Sequence, residues 1–166
     1  MTLCFVRTRD KRTPPLPSRA AFPLFGRNEV IMSGNKPNWS GWILLDPETI
    51  KSQVPPCIGV YRSRVAGDNN HLVYIGQTTA QRGLKGHLGM RADSIKHVLA
   101  QTPNHKYHLA PAEKLIIADG KRLEVSYACA QSAEEALAWK ARLIHDYRDV
   151  HGDIPSGNTR IPRLRD

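Results

Sequence analysis

Two short apolar runs close together in the chain constrain the fold more than any other feature. The runs CIGVYRSRV and HLVYIGQ are separated by the five residues AGDNN. β-Branched and aromatic residues favour extended structure, whereas Gly, Asp and Asn favour a tight reversal of the chain. The sequence therefore predicts a β-hairpin. Its strands carry a Gly and a Tyr at matching points, Gly59 and Tyr61 in the first strand and Tyr74 and Gly76 in the second.

The segments around the hairpin predict further helices and one more strand. Asp46 followed by Pro47 is typical of a helix start. The segments QRGLKGHLGMRADSIKHVLAQ and APAEKLIIADG are predicted helices, and KRLEVSYACA alternates as a third strand would. The clearest helix is SAEEALAWKARLIHDYRDVHG, in which Ser132 and Glu135 have the spacing of a capping box and Leu137 belongs to the predicted buried stripe.

The chain divides by composition into three parts. Residues 1–35 are rich in proline and basic residues, which favours a disordered basic arm; alternatively, translation begins at Met32. Residues 36–158 form the predicted domain, and residues 159–166 form a short basic tail.

Charge indicates the class of partner. The chain has 24 basic and 15 acidic residues, a net charge of +9. Such an excess favours polyanions, nucleic acid before an anionic membrane, because it raises their local concentration. No run approaches the ~20 apolar residues that a membrane span requires. We therefore expect a nucleic acid as the partner and no membrane, while the oligomeric state is left open.

The three cysteines indicate a reduced protein. Cys4, Cys57 and Cys129 lie far apart and form no pattern typical of a zinc site. Cys57 and Cys129 fall in strand-like runs, where small buried hydrophobic residues are expected. Reduced thiols are typical of the cytosol, so a cytoplasmic location is predicted.

The order of these features resembles that of the GIY-YIG nuclease family. The hairpin carries GVY and YIG, a basic helix and a third strand follow, and a late helix contains LIHDYR before the loop SGN. The likeness extends from about residue 40 to residue 158, which is most of the chain. It implies an α+β fold with a small three-stranded antiparallel sheet flanked by helices.

The resemblance also implies hydrolysis of a DNA phosphodiester by water with one divalent metal, usually Mg²⁺. In the family, a Tyr from each cassette lines the site, an Arg on the following helix faces the phosphate, and a Glu on the late helix holds the metal. Tyr61 and Tyr74 match the two tyrosines, and Gly59 and Gly76 match the glycines. Asn158 matches the Asn near the end of the family's pattern.

The sequence departs from the family at the phosphate-binding Arg. In the segment LKGHL, His87 occupies the arginine position, and Arg91 lies one turn later, where many relatives have a His. Residues four apart share a helix face, so both side chains are able to face one phosphate. Arg82, near the predicted helix start, is a further candidate cation for substrate binding.

The second departure concerns the metal ligand. The family's Glu lies four residues before the Ile of its LI pair, and here that position is Lys140. An ammonium has no lone pair to offer a cation. Successive residues of a helix are rotated by about 100°, so Glu135 lies on a different side of the helix from Lys140. Glu135 enters the site only if the helix is aligned in another register.

These observations lead to three functional hypotheses. The first is a GIY-YIG-like protein that binds DNA with weakened or lost Mg²⁺-dependent hydrolysis, with Tyr61, Tyr74, His87, Arg91 and Lys140 at the former catalytic positions. The second is an active endonuclease whose site is rearranged around His87, Arg91 and Glu135. The third is a non-enzymatic protein-interaction module on the same fold.

Overall fold

The computed structural model describes residues 36–102 and 108–164. The elements follow in the order β1 (Ile43–Leu44), α1 (Pro47–Gln53), β2 (Gly59–Val65), β3 (Tyr74–Thr78), α2 (Gly83–Leu99), α3 (Pro111–Ala118), β4 (Leu123–Cys129) and α4 (Ala133–His151). The proposed arm of residues 1–35 lies outside the described residues. Of the predicted tail, residues 159–164 are described, and the Pro162 carbonyl lies 2.8 Å from His145 Nε2 on α4.

The four strands of the described residues form one antiparallel sheet in the order β1-β4-β2-β3. The α+β class and the hairpin of β2 and β3 are confirmed. The three-stranded sheet was wrong, because β1 pairs with β4 through Ile43 opposite Val125 and Leu44 opposite Glu124. A strand of two residues is too short to show alternation, and only its partner strand, some eighty residues later in the chain, stabilises it.

Local sequence signals place the helix ends correctly. The Asp46 carboxylate accepts a hydrogen bond from Thr49 N at 3.0 Å and so caps α1, with Pro47 as its first residue. At α4 Ser132 caps the helix as predicted, since its Oγ accepts from Glu135 N at 3.1 Å. The return contact of the predicted capping box is displaced, because Glu135 Oε2 accepts from Gln131 N at 2.7 Å, one residue before Ser132. These contacts satisfy amide groups that a helix start otherwise leaves unpaired.

The side chains of the central strand alternate between two apolar layers. Tyr61 packs into a core that includes Leu84 and Leu88 of α2. Its neighbour Val60 faces the opposite layer, where it packs with Ala136 and Trp139 of α4. The predicted stripe on α4 was wrong at Leu137, which is exposed, because Trp139 fills the space over β2 instead.

The cysteine prediction was wrong. Cys57 and Cys129 form a disulfide, with their Cα atoms 5.8 Å apart. Neither residue is fully buried. Pairing of β2 with β4 sets Gly59 opposite Cys129, which brings the residues just before β2 close to the end of β4. The two cysteines are 72 residues apart in sequence, so no local spacing indicates their contact.

The described helices include none that is both long enough and apolar enough to cross a membrane.

The disulfide gives a first testable prediction. Replacing Cys57 and Cys129 by Ser should lower the free energy of unfolding by about 2–4 kcal/mol, because the cross-link restricts the unfolded chain. Urea unfolding of the oxidised protein and of the double variant measures this difference. Unfolding of both proteins in the presence of a reductant is the matched control, and the difference between them should then largely disappear.

A thiol assay in denaturant without reductant adds an independent readout. We expect one reactive thiol per chain, from Cys4. Three reactive thiols in protein purified under oxidising conditions would contradict the disulfide.

Candidate functional site

The glycine of the second cassette makes room for the tyrosine of the first. Tyr61 lies opposite Gly76 in the pairing of β2 with β3. A Cβ atom at position 76 would overlap the ring and the hydroxyl oxygen of Tyr61, so the phenol lies directly across the glycine backbone. The predicted substrate-binding position Gly76 is therefore covered by Tyr61.

The glycine of the first cassette is required by the neighbouring strand. A Cβ atom at Gly59 would overlap the carbonyl group of Ala128 on β4. Any larger residue there would push β2 and β4 apart. Both cassette glycines thus have a packing explanation that needs no ligand.

Tyr61 and His87 form a hydrogen-bonded pair beneath the surface. The Tyr61 hydroxyl lies 2.9 Å from His87 Nε2, the ring centroids are 5.4 Å apart, and Tyr61 is only 1% exposed. Burial raises the pKa of Tyr61 well above its ordinary value. Burial, followed by the charge of Arg91, lowers the pKa of His87 to about 4. At neutral pH both side chains are therefore uncharged.

Tyr74 completes a small aromatic group around a buried cation. Its ring centroid lies 6.0 Å from that of Tyr61. The guanidinium carbon of Arg91 lies 5.1 Å from the Tyr61 centroid and 4.9 Å from the Tyr74 centroid. The structure thus brings together four of the predicted site residues, Tyr61, Tyr74, His87 and Arg91; we refer to them as the tyrosine cluster.

Arg91 is not available to a ligand in this arrangement. It is 3% exposed, its Nη2 donates to both carboxylate oxygens of Glu113, and its Nη1 donates to the His108 carbonyl at 3.0 Å. Glu113, with 0% exposure, also accepts from Ser63 Oγ at 2.7 Å and from Ala110 N at 2.9 Å. The Arg91 Nε is buried without a hydrogen-bond partner, but both oxygens of Glu113 are hydrogen-bonded. This buried ion pair would have to break before Arg91 could reach a phosphate.

Asn158 binds the edge of the sheet rather than open space. Its Oδ1 accepts from Ile75 N and its Nδ2 donates to the Ile75 carbonyl, each at 2.9 Å. The side-chain amide therefore continues the ladder of β3, whose outer edge has no partner strand among the described residues. This contact uses the amide oxygen and one of the two amide hydrogens.

Lys140 lies on α4, in the layer on the other side of the sheet from Tyr61. It is half-buried, and burial together with the charge of Arg160 lowers its pKa. Within the described ranges, no hydrogen bond, ion pair or ring contact joins Lys140 to the tyrosine cluster. The expected neighbourhood of Lys140 and the two tyrosines does not occur as a direct contact.

The remaining candidates lie at the surface. Arg82 is exposed at the start of α2, where its Nη1 lies 3.9 Å from Met90 Sδ. Glu135, the carboxylate of the alternative alignment, caps Gln131 at the start of α4.

The residues present do not fit a Mg²⁺ site. The only carboxylate that contacts the tyrosine cluster in the described part of the chain is Glu113, and both of its oxygens are already occupied. A hard cation needs several oxygen ligands with free lone pairs. Within residues 36–102 and 108–164, no group of three or more His, Cys, Asp or Glu side chains is arranged to hold a metal.

Sequence reasoning missed Glu113, which organises the cluster. Its only signal was its position three residues after Ala110 in the segment APAEKL, because acidic residues are common in the first turn of a helix. Its contact with Ser63 spans fifty residues of chain, and no local pattern predicts it.

The chain matches no protein-family model, no curated protein and no solved structure.

The buried ion pair should be important for stability. Glu113→Gln leaves the Arg91 charge buried without a counter-charge, and we expect a loss of about 3–5 kcal/mol in unfolding free energy. Urea unfolding measures it. Lys96→Gln breaks the exposed pair with Asp93 and should cost at most about 1 kcal/mol. Equal losses in the two variants would show that the Arg91–Glu113 pair contributes no more than a surface pair.

His87 should titrate at low pH and couple to folding. Its NMR signals should shift with a midpoint near pH 4, the lowered pKa in the folded protein. In the unfolded chain the ordinary value is about 6.5, so the unfolded state binds more protons between these values. This contribution to stability is present above pH 6.5 and is lost as the pH falls towards 4. His87→Gln should flatten that part of the stability profile, and a midpoint near 6.5 would contradict the burial of the ring.

Proposed function

We propose that this protein is a GIY-YIG-like DNA-binding protein in which Mg²⁺-dependent phosphodiester hydrolysis is weakened or lost. The observation that carries the proposal is the state of the tyrosine cluster. Arg91 is held by Glu113 in a buried ion pair, and Tyr61 and His87 are hydrogen-bonded to each other and uncharged. Hydrolysis of a phosphodiester requires a base near water and positive charge facing the phosphate. The cluster offers neither in this arrangement.

DNA binding is supported by charge. The net charge is +9, and several basic residues of the described chain are exposed: Arg82, Lys121, Arg122, Arg160 and Arg163. Contacts of Lys and Arg with phosphates release counterions and are largely independent of base sequence. We therefore expect binding with little sequence preference.

The two alternatives remain open to test but have less support. An active enzyme built from His87, Arg91 and Glu135 would need Arg91 released from Glu113 and Glu135 released from its capping contact. A protein-interaction module would not need the basic excess. A cytoplasmic location is likewise a proposal, and the Cys57–Cys129 disulfide does not favour it, because cytosolic thiols are usually kept reduced.

Binding and cleavage assays test the proposal together. Fluorescence anisotropy with a labelled duplex should show affinity that falls by about tenfold or more between 50 and 200 mM salt, as phosphate contacts require. The same duplex should stay uncut, or be cut slowly, in Mg²⁺ or Mn²⁺.

A double variant restores the family's residue at both positions where this chain departs from the pattern. Lys140→Glu with His87→Arg introduces the family's carboxylate and forked cation. Because Lys140 lies in the layer on the other side of the sheet from Tyr61, we expect this variant to cut no faster than the wild-type protein. Rapid cleavage of the duplex by the wild-type protein in Mg²⁺ or Mn²⁺ would disprove the loss of hydrolysis. Affinity that does not change with salt would instead favour the protein-interaction alternative.

A further inference from the structure

A polar cleft lies on the face of the sheet opposite the tyrosine cluster. It has a volume of about 410 Å³, and its lining includes Arg62 and Arg64 of β2, Trp42 before β1, and His71, Tyr147 and His151. Alternation along β2 accounts for its position, since Arg62 and Arg64 point away from the face that carries Tyr61 and Ser63. None of the residues of the tyrosine cluster lines this cleft.

Arg62 is held in place without using its hydrogen-bond donors. Its guanidinium carbon lies 4.3 Å from the ring centroid of Trp39 and 4.9 Å from that of Trp42. Aromatic faces attract a guanidinium through the ring quadrupole and accept no ordinary hydrogen bond. Arg62 has no ion pair or hydrogen bond to any described side chain, and its Nε is buried without a partner.

The neighbouring charges do not neutralise Arg62. Arg64 lies 4.0 Å from the Trp42 centroid, and its own charge is balanced by Glu124 at 2.9 Å. Asp68 also lines the cleft and keeps its negative charge, but among the described contacts it forms no ion pair with Arg62: its carboxylate accepts from the backbone N–H of Asn70 and His71 and lies 3.5 Å from His71 Nδ1. Burial, followed by the charge of Arg64, lowers the pKa of Arg62, as expected for a cation without a counter-charge.

The remaining lining matches a ligand larger than a free anion. The rings of Tyr147 and His151 are stacked with centroids 4.1 Å apart, and the cleft has room for more than one phosphate group. Strand-binding proteins combine cations for the backbone with aromatic rings for the bases.

We propose that this cleft binds a phosphate of a single nucleic-acid strand through Arg62, with an adjoining base against the rings of Tyr147 and His151. The choice of nucleic acid as the source of the phosphate rests on the function proposed above. The phosphate site itself rests on the uncompensated cation, its aromatic supports and the volume of the cleft.

The test compares Arg62→Gln with Arg142→Gln, which removes the same charge from an exposed position on α4. Binding of a labelled single-stranded oligonucleotide is followed by fluorescence anisotropy over a range of salt concentrations. Arg62→Gln should weaken binding by about tenfold and reduce the salt slope by about one, whereas Arg142→Gln should change affinity by less than about twofold. Equal effects of the two variants would overturn the proposal.

A second measurement does not depend on a variant that folds. Inorganic phosphate is titrated into the wild-type protein, and the NMR signals of the Arg62 Nε–H and the Trp42 indole N–H are followed. Saturable shifts of these signals support the phosphate site, and their absence overturns it. Arg62→Lys keeps the charge but loses the planar fork, so its affinity for the oligonucleotide should lie between those of the wild-type protein and Arg62→Gln.

The two proposals can fail separately. If DNA binds the wild-type protein and Arg62→Gln equally well, the cleft is not the binding site, whereas the proposed function stands. If no DNA binds but inorganic phosphate shifts the Arg62 and Trp42 signals, the phosphate site stands and the proposed function fails.

Discussion

The buried ion pair between Arg91 and Glu113 links most of the structure around the tyrosine cluster. Arg91 belongs to α2, Glu113 lies in the first turn of α3, and the Ser63 hydroxyl on β2 donates to the same carboxylate. Three elements far apart in sequence therefore meet at one charge pair. Removing two charges from water is costly, and the pair is stable only because every oxygen of Glu113 is hydrogen-bonded. The position of α2 over the sheet depends on this contact.

That structural role competes with a catalytic one. A cation that clamps a phosphate must be accessible and free to donate, whereas Arg91 has its charge and most of its donors committed inside the protein. The same ion pair keeps a positive charge close to His87, which helps to lower the pKa of His87. An uncharged His87 beside a protonated Tyr61 stabilises the fold but provides little attraction for a phosphate. The residues that resemble a nuclease site are thus largely occupied with one another.

Local signals in the sequence predicted the local features of the structure. The hairpin, the Asp46 cap and the Ser132 cap all depend on residues within a few positions of one another, and all three formed. The disulfide, strand β1 and the partner of Arg91 were missed, because each joins segments that are far apart in the chain. The prediction that Leu137 is buried was wrong, because helical spacing alone does not tell which of the apolar residues of α4, Leu137 or Trp139, packs against the sheet.

The register of one strand pair determines the chemistry on both faces of the sheet. In β2 the order Tyr61-Arg62-Ser63-Arg64 alternates, so phenol and hydroxyl face α2 while the two guanidiniums face the cleft beside Trp42. A shift of pairing by one residue would exchange these faces and bury both guanidiniums under α2. In the observed register Gly76 lies opposite Tyr61, and the absence of a Cβ atom there leaves space for the phenol ring. The glycine of the second cassette therefore fixes the position of Arg62 as firmly as it fixes that of Tyr61, although it contacts only the tyrosine.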